Sequence, residues 1–279
     1  MPTGRKMSPP RRPFSNEIAV CLPYKIHNNY ITKSVRYNIC RYLGNTVPAI
    51  TEVSIMKKNL TELVFILDRS GSMSGLEKDT IGGFNSMLSR QKEEPGEALI
   101  STILFDDRTE VLHDRVHLAD VRPMNERQYY VRGCTALLDA MGGAIHHIGT
   151  IHKYSREEDR PEKTIFVITT DGMENSSSHY TYEKVKQMVE RQKERYGWEF
   201  LFLGANIDAI ETAGRFGIQP SRAVNYECDS AGTQLNFQVV SDTVCAARAC
   251  TCDLSEYFDD PAWKKAIEKD YSRRGRRTL

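Results

Sequence analysis

Apolar and polar residues alternate in two distinct patterns from residue 56 onwards. Short apolar runs separated by polar segments predict about six strands, at residues 62–67, 99–105, 110–118, 164–169, 199–203 and 223–226. The run at 62–67 is almost continuously apolar, which is typical of a strand buried on both faces. Charged residues alternate with apolar ones at 110–118, which favours an edge strand.

Apolar residues at helical spacing occupy the segments between these strands. Ile81, Phe84 and Leu88 form one such stripe, a second runs through residues 138–151, and a third includes Val185 and Met188. Strands that alternate with helices in this way predict an α/β fold, namely a doubly wound, mostly parallel central sheet with helices on both faces.

The chain ends with a further helical pattern. Asp260 and Pro261 have the residue types of a helix N-cap and first turn, and Trp263, Ile267 and Tyr271 follow as a stripe. We therefore expect a last helix that docks back on the domain.

These patterns divide the chain into three parts. Residues 1–55 are rich in Pro, Arg and Asn and keep no apolar period, so they are predicted to be a basic, flexible extension. An alternative is that translation begins at Met56. Residues 56–272 form the predicted domain, and residues 273–279 are predicted to be a disordered basic tail.

The composition is that of a globular protein, with 40% hydrophobic and 27% charged residues. The net charge of +1 conceals an asymmetry, because the first 60 residues hold 10 basic and 2 acidic residues and the remainder holds 28 and 35. An acidic main body disfavours nucleic-acid binding, which needs a basic face to neutralise phosphates.

Cellular location is inferred from what the sequence lacks. Its seven cysteines match neither a secreted disulfide framework nor a paired zinc-ligand pattern, so we expect reduced thiols. No apolar run is long enough for a signal-peptide core or a membrane span. The sequence thus favours a cytoplasmic protein.

The strongest chemical signal follows the first buried strand, where Asp68, Ser70 and Ser72 form the pattern Asp-x-Ser-x-Ser. Ligand sites of doubly wound sheets open at the carboxyl ends of the strands. Carboxylate and hydroxyl oxygens suit a hard cation, so the expected cofactor is Mg²⁺, with Mn²⁺ as the alternative.

Two later segments supply the same kind of ligand. Thr135 ends a Gly-Cys-Thr loop before a helix, and Asp171 lies in a Thr-Asp-Gly segment after a strand. With Asp-x-Ser-x-Ser, this ordered set resembles the metal-ion-dependent adhesion site of von Willebrand factor type A domains, particularly stand-alone bacterial or phage members. The resemblance covers roughly residues 60–241.

The resemblance implies a role for each side chain. Ser70 and Ser72 would bind the metal directly, Thr135 would bind it in the ligand-ready state, and Asp68 and Asp171 would act directly or through water. The family also implies a cation that takes another oxygen from a partner. We therefore expect a metal-dependent protein-binding module whose partner supplies an Asp or Glu carboxylate, without catalytic residues or an organic cofactor.

Two other functions are consistent with the sequence. An open metal site also suits a Mg²⁺-dependent hydrolase of phosphoesters. Against this function, Ser70 stands where an aspartyl phosphotransferase would usually carry a second acid. A structural subunit with an empty metal site is the other. Turn formation by Asp68 and helix capping by Thr135 are the corresponding structural interpretations.

Other polar residues invite functional interpretation but have simpler explanations. Asp106 and Asp107 after the second strand, and Asn206 and Asp208 after the fifth, are predicted to be turn formers on the same edge. Cys134 beside Thr135 is predicted to be a small apolar residue rather than a redox sensor.

Overall fold

The computed structural model describes residues 24–26, 29–31 and 57–275, in two compact units that divide after Glu52. Within the first unit, β1 (Tyr24–Ile26) and β2 (Asn29–Ile31) form an antiparallel pair. Apart from this pair, the predicted extension lies outside the described residues, and its flexibility stays a prediction.

The second unit is built on one sheet of six strands. Its strands are β3 (Lys57–Asp68), β4 (Glu97–Phe105), β5 (Thr109–His117), β6 (Pro161–Thr170), β7 (Glu199–Gly204) and β8 (Ala223–Asn225). Their order across the sheet is β5-β4-β3-β6-β7-β8, and every pair is parallel except β4–β5. The predicted number of strands and the predicted edge strand are both confirmed.

Helices cover both faces of this sheet. They are α1 (Glu77–Glu93), α2 (Leu137–Tyr154), α3 (Tyr182–Tyr196), α4 (Ala209–Arg215), α5 (Ser230–Ala249), α6 (Leu254–Asp259) and α7 (Lys265–Gly275). Along β3, Phe65 faces the core beneath α1, α5 and α7, whereas Ile66 faces the core beneath α2, α3 and α4. The central strand is therefore buried on both sides, as its apolar run predicts.

The last helix docks on the domain as predicted, but its start and end differ from expectation. Asp260 caps a 3₁₀ turn through Ala262 N at 2.9 Å, and α7 begins only at Lys265, with Ile267 2% exposed. Arg274 belongs to α7 and pairs with Asp229 and Asp270, so the predicted disordered tail is wrong at its first residues. Residues 276–279 lie outside the described part of the chain.

One expectation about cysteines is also wrong. Cys250 and Cys252 are joined by a disulfide, whereas Cys134, Cys228 and Cys245 are free thiols. The pair lies in the short connection between α5 and α6, where the two Cα atoms are 5.4 Å apart. No helix within the described ranges is both long and apolar enough to span a membrane.

Candidate metal centre

The three predicted ligand segments meet at the carboxyl edge of the sheet. β3 and β6 are adjacent and parallel, so Asp68 at the end of one strand lies next to the segment that follows the other. The Gly-Cys-Thr loop joins them because Gly71 N donates to Gly133 O at 3.1 Å. A methyl group on Gly172 would lie 3.3 Å from Thr135 Oγ1 and 3.5 Å from Ser72 Oγ. The structure thus brings the segments of all five predicted side chains together.

A chain of short oxygen contacts crosses this cluster. Ser72 Oγ donates to Asp171 Oδ1 at 2.5 Å, and the hydroxyl oxygens of Ser70 and Ser72 are 3.1 Å apart. These distances show that the serine pair after β3 faces the carboxylate after β6. Three of the predicted ligand side chains therefore lie within hydrogen-bond distance of one another, and Ser72 is exposed at the surface of this group.

Asp68 is the most tightly held member. Its Oδ1 accepts from Ser70 N at 2.7 Å, its Oδ2 accepts from Thr170 Oγ1 at 2.6 Å, and the residue is 1% exposed. Burial raises the pKa of Asp68 to about 6, despite these hydrogen bonds. The contact with Ser70 N is the turn interaction expected of an Asp at this position, so turn formation and metal ligation are compatible here.

Asp171 is held on both sides as well. Its Oδ2 lies 3.5 Å from the donor Cys228 Sγ, opposite the contact with Ser72, and burial raises the pKa of its carboxyl group. Asn206 Nδ2 donates to the backbone oxygen of Asp171 at 3.4 Å. Neither Asp68 nor Asp171 forms a salt bridge with a basic side chain in the described part of the chain.

Backbone bonds position Thr135 without using its hydroxyl group. Thr135 N donates to Asn175 Oδ1 at 2.9 Å, and Asn175 N donates to Thr135 O at 3.0 Å. Helix α2 has Ala136 as its N-cap residue and no side-chain cap, so capping by Thr135 is not observed. Glu174 instead accepts from Leu138 N at the start of that helix, at 2.8 Å.

The donor set fits a hard cation. No group of three or more His, Cys, Asp or Glu side chains within the described ranges is arranged to hold a metal ion. The cluster instead offers two carboxylates and three hydroxyls, which are the oxygen donors that Mg²⁺ and Mn²⁺ accept alongside water. Ligation by Asp68, Ser70, Ser72, Thr135 and Asp171 stays a prediction that the geometry allows.

The sheet order and the meeting of three loops at its carboxyl edge agree with the architecture that the resemblance implies. The domain thus has the doubly wound α/β architecture expected of a von Willebrand factor type A domain. No family model matches the chain, and no curated protein matches it in sequence.

Solved structures similar to this fold include proximal thread matrix protein 1 from the mussel byssus, with a zinc-occupied adhesion-site motif. It is 16% identical, with a TM-score of 0.47 over 67% of this chain and 46% of that chain. A von Willebrand factor type A protein from Catenulispora acidiphila is 13% identical, with a TM-score of 0.44 over 67% and 43%.

The manganese-loaded TRAP protein of Plasmodium vivax is 17% identical, with a TM-score of 0.43 over 64% of this chain and 73% of that chain. The chain spans under half the length of the mussel protein.

Asp106 is more than the turn former that the sequence predicts. It is fully buried, its Oδ2 accepts from Arg69 Nε at 2.7 Å and from Arg132 Nε at 2.8 Å, and its Oδ1 accepts from Arg108 N. Its backbone oxygen also accepts from Ala136 N at 2.8 Å. Burial alone would raise the pKa of Asp106, but hydrogen bonds, first that from Arg132, hold it below its usual value. Asp106 therefore joins the loops after β3 and before α2.

The sequence predicts the roles of some other residues around the centre but not of all of them. Asp208 caps α4 through Ile210 N and Glu211 N, which confirms its structural role. Thr170 was visible within the Thr-Asp-Gly motif, but its contact with Asp68 was not predicted. Cys228 has no sequence signal, because it reaches Asp171 from 57 residues away.

Proposed function

We propose that this protein is a divalent-metal-dependent protein-binding module. Asp68, Ser70, Ser72, Thr135 and Asp171 hold Mg²⁺, or Mn²⁺ in its place, and an Asp or Glu carboxylate of a partner completes the coordination shell. The role is one of recognition, not catalysis.

We also propose that the protein works in the cytoplasm, where the free thiols of Cys134, Cys228 and Cys245 would stay reduced. A reactive disulfide between near neighbours, such as Cys250–Cys252, is compatible with that location.

The observation that supports the metal most directly is the state of the two carboxylates. Asp68 and Asp171 are 1% exposed, approach a common group of hydroxyls, and have no salt bridge to a basic side chain within the described residues. Burying a charge without a counter-charge is costly, which is why the pKa of each is raised. A divalent cation at this point would supply that counter-charge.

The hydroxyl ligands explain why such a cation would bind a partner. Ser70, Ser72 and Thr135 are neutral, so the two carboxylates are the only anionic donors in the cluster. A Mg²⁺ ion held mainly by neutral oxygens retains positive charge and exchangeable water positions. An external carboxylate is the ligand best suited to replace one of those waters.

Calorimetric titration with Mg²⁺ tests the metal site. We expect binding heat from the wild type and none from a Ser70→Ala, Ser72→Ala double variant. Ser74→Ala is the matched control, because Ser74 is exposed and its side chain makes no hydrogen bond with the described residues. Equal heats from the wild type and the double variant would contradict the assigned ligands.

Partner recognition needs a separate measurement. We expect a peptide containing one aspartate to bind the full chain in Mg²⁺ but not in EDTA, and to lose affinity with Thr135→Ala. Metal binding without metal-dependent peptide binding would argue against the recognition role. Mg²⁺-dependent turnover of a phosphoester that Asp68→Ala abolishes would instead establish a hydrolase.

A further inference from the structure

One exposed cation beside the metal centre is held in a fixed position. Arg132 Nε donates to Asp106 Oδ2 at 2.8 Å, and its guanidinium carbon lies 5.2 Å from the centroid of the Tyr130 ring. Asp106 is itself fully buried and anchored by Arg69 and by Arg108 N. An arginine fixed in this way loses little conformational freedom when it binds a ligand.

The terminal nitrogens of Arg132 are free for such a ligand. The side chain is 41% exposed, and Asp106 is its only salt-bridge partner within the described residues. That bond uses Nε, which leaves the two Nη groups without an acceptor in the described part of the chain. A guanidinium with two free groups in one plane is suited to a carboxylate, which it can bind through two parallel hydrogen bonds.

Backbone bonds place Arg132 close to the predicted ligands. Arg132 N donates to Arg69 O at 3.0 Å, within the Asp-x-Ser-x-Ser segment, and the next residue, Gly133, accepts from Gly71 N. Thr135 follows two positions later. The free guanidinium and the metal centre therefore lie along the same edge of the sheet, where one partner segment can reach both.

The two arginines near Arg132 each have an acidic partner. Arg69 pairs with Glu110 at 2.8 Å as well as with Asp106, and Arg108 lies 3.9 Å from Asp107. Arg69 Nη2 also has no hydrogen-bond partner among the described residues, but it is buried and a partner protein cannot reach it. Arg132 is the member of this group that is held by a buried carboxylate and also has unused nitrogens on an exposed side chain. This difference distinguishes it from the freely exposed Arg108, whose side chain is 80% exposed.

We propose that the partner carries two acidic groups, one that completes the metal shell and a second that binds Arg132. This inference rests on the proposed function of the metal centre. It assigns Arg132 as the residue that selects a diacidic segment over a segment with a single acid. Asp106 and Tyr130 act as positioning residues for that guanidinium.

The test compares four peptides by chemical-shift titration of the full chain in Mg²⁺. One peptide has a single aspartate in a glycine background, and three have two aspartates separated by zero, one or two glycines. We expect at least one diacidic peptide to bind about tenfold more tightly than the monoacidic one, since a hydrogen bond to a charged group contributes about that factor.

Variants then assign the preference to a residue. Arg132→Gln is expected to abolish the tenfold preference while leaving the affinities for Mg²⁺ and for the monoacidic peptide unchanged. Arg108→Gln removes the same charge from the same region and is expected to keep the preference. A preference that survives Arg132→Gln, or is lost equally in both variants, would overturn the assignment.

The outcomes separate the two proposals. Mg²⁺-dependent binding of all peptides with equal affinity would overturn only the role of Arg132. Peptide binding that is unaffected by EDTA would overturn the proposed function of the metal centre, and absence of peptide binding would overturn both.

Discussion

Strand β3 carries two buried carboxylates, one in each half, and the two differ in whether a basic side chain pairs with them. In its amino-terminal half, Glu62 is fully buried and accepts from Arg115 Nε at 2.7 Å and from His152 Nε2 at 2.6 Å. At its carboxyl end, Asp68 is 1% exposed and accepts from Ser70 N and the Thr170 hydroxyl, and no basic side chain of the described residues pairs with it. The same strand thus carries one carboxylate with basic partners and one without.

Under the proposed function, this difference separates a structural cluster at Glu62 from a group at Asp68 that would bind a cation. A buried ion pair with good hydrogen bonds is self-contained, so the Glu62 cluster needs nothing from outside. The carboxylates of Asp68 and Asp171 have raised pKa values because no such partner compensates their burial. A domain that keeps two such groups side by side gains stability when a cation binds them.

The largest effect is expected from breaking the paired end. Glu62→Ala leaves Arg115 and His152 without their buried partner, and removal of one member of such a cluster costs about 3–5 kcal/mol. The free energy of unfolding, measured by urea denaturation in EDTA, should fall by that amount. A change below about 1 kcal/mol would show that the two ends of β3 are energetically alike.

Mg²⁺ should stabilise the folded protein by binding at the carboxylates that have no basic partner, those of Asp68 and Asp171. At a Mg²⁺ concentration of about 100 times the dissociation constant, linkage predicts a gain of about 2.7 kcal/mol in the free energy of unfolding. Ser70→Ala, Ser72→Ala should not show this gain, whereas Ser74→Ala should. Equal gains in the wild type and the double variant would place the stabilising metal elsewhere.

The free energy of unfolding of the metal-free protein should depend on pH because the pKa of Asp68 is raised. The folded pKa of Asp68 is about 6, whereas an unfolded Asp titrates near about 3.9. Between these values the folded state holds a proton that the unfolded state has released, so stability from this group falls as pH rises from about 4 to about 6. The loss should approach about 2–3 kcal/mol.

Asp68→Asn provides the control for this pH effect, because an amide has the same shape and does not titrate. The variant should be more stable than the wild type above about pH 6 in the absence of metal, and it should lose Mg²⁺ binding. Parallel stability profiles for the two proteins between about pH 4 and about pH 6 would contradict the raised pKa of Asp68.

Much of this architecture is predictable from local pattern. Strand β3 carries an almost continuous apolar run, and helices α1 to α3 carry apolar residues at helical spacing. The Asp-x-Ser-x-Ser segment adjoins a strand end, where ligand sites of doubly wound sheets open. Helix α5 lacks such a pattern because its buried face includes Asn236, Ser241 and Thr243. Buried polar residues obscure the apolar period from which a helix is predicted.

The supporting contacts are not predictable in this way, because they join residues that are distant in sequence. Glu62 meets His152 across 90 positions, and the two pack at the opposite end of the sheet from the metal centre. Asp106 has the residue type of a turn former, and only the fold shows that two arginines share its carboxylate. The candidate ligands therefore have a sequence pattern, and their ligation stays a prediction, whereas the residues that orient them have no such pattern.

The smallest expected effect concerns Thr170, which orients Asp68 without being a predicted ligand. Thr170→Val keeps the shape of this fully buried side chain but removes the hydrogen bond to Asp68 Oδ2 at 2.6 Å. A hydrogen bond to a charged group contributes about 1.5 kcal/mol, so Mg²⁺ affinity should fall about tenfold at pH 7. Thr170→Ser, which retains the hydroxyl, should restore most of it in the same calorimetric titration. Equal affinities for the valine and serine variants would mean that burial alone, without the hydroxyl, positions the Asp68 carboxylate for the metal.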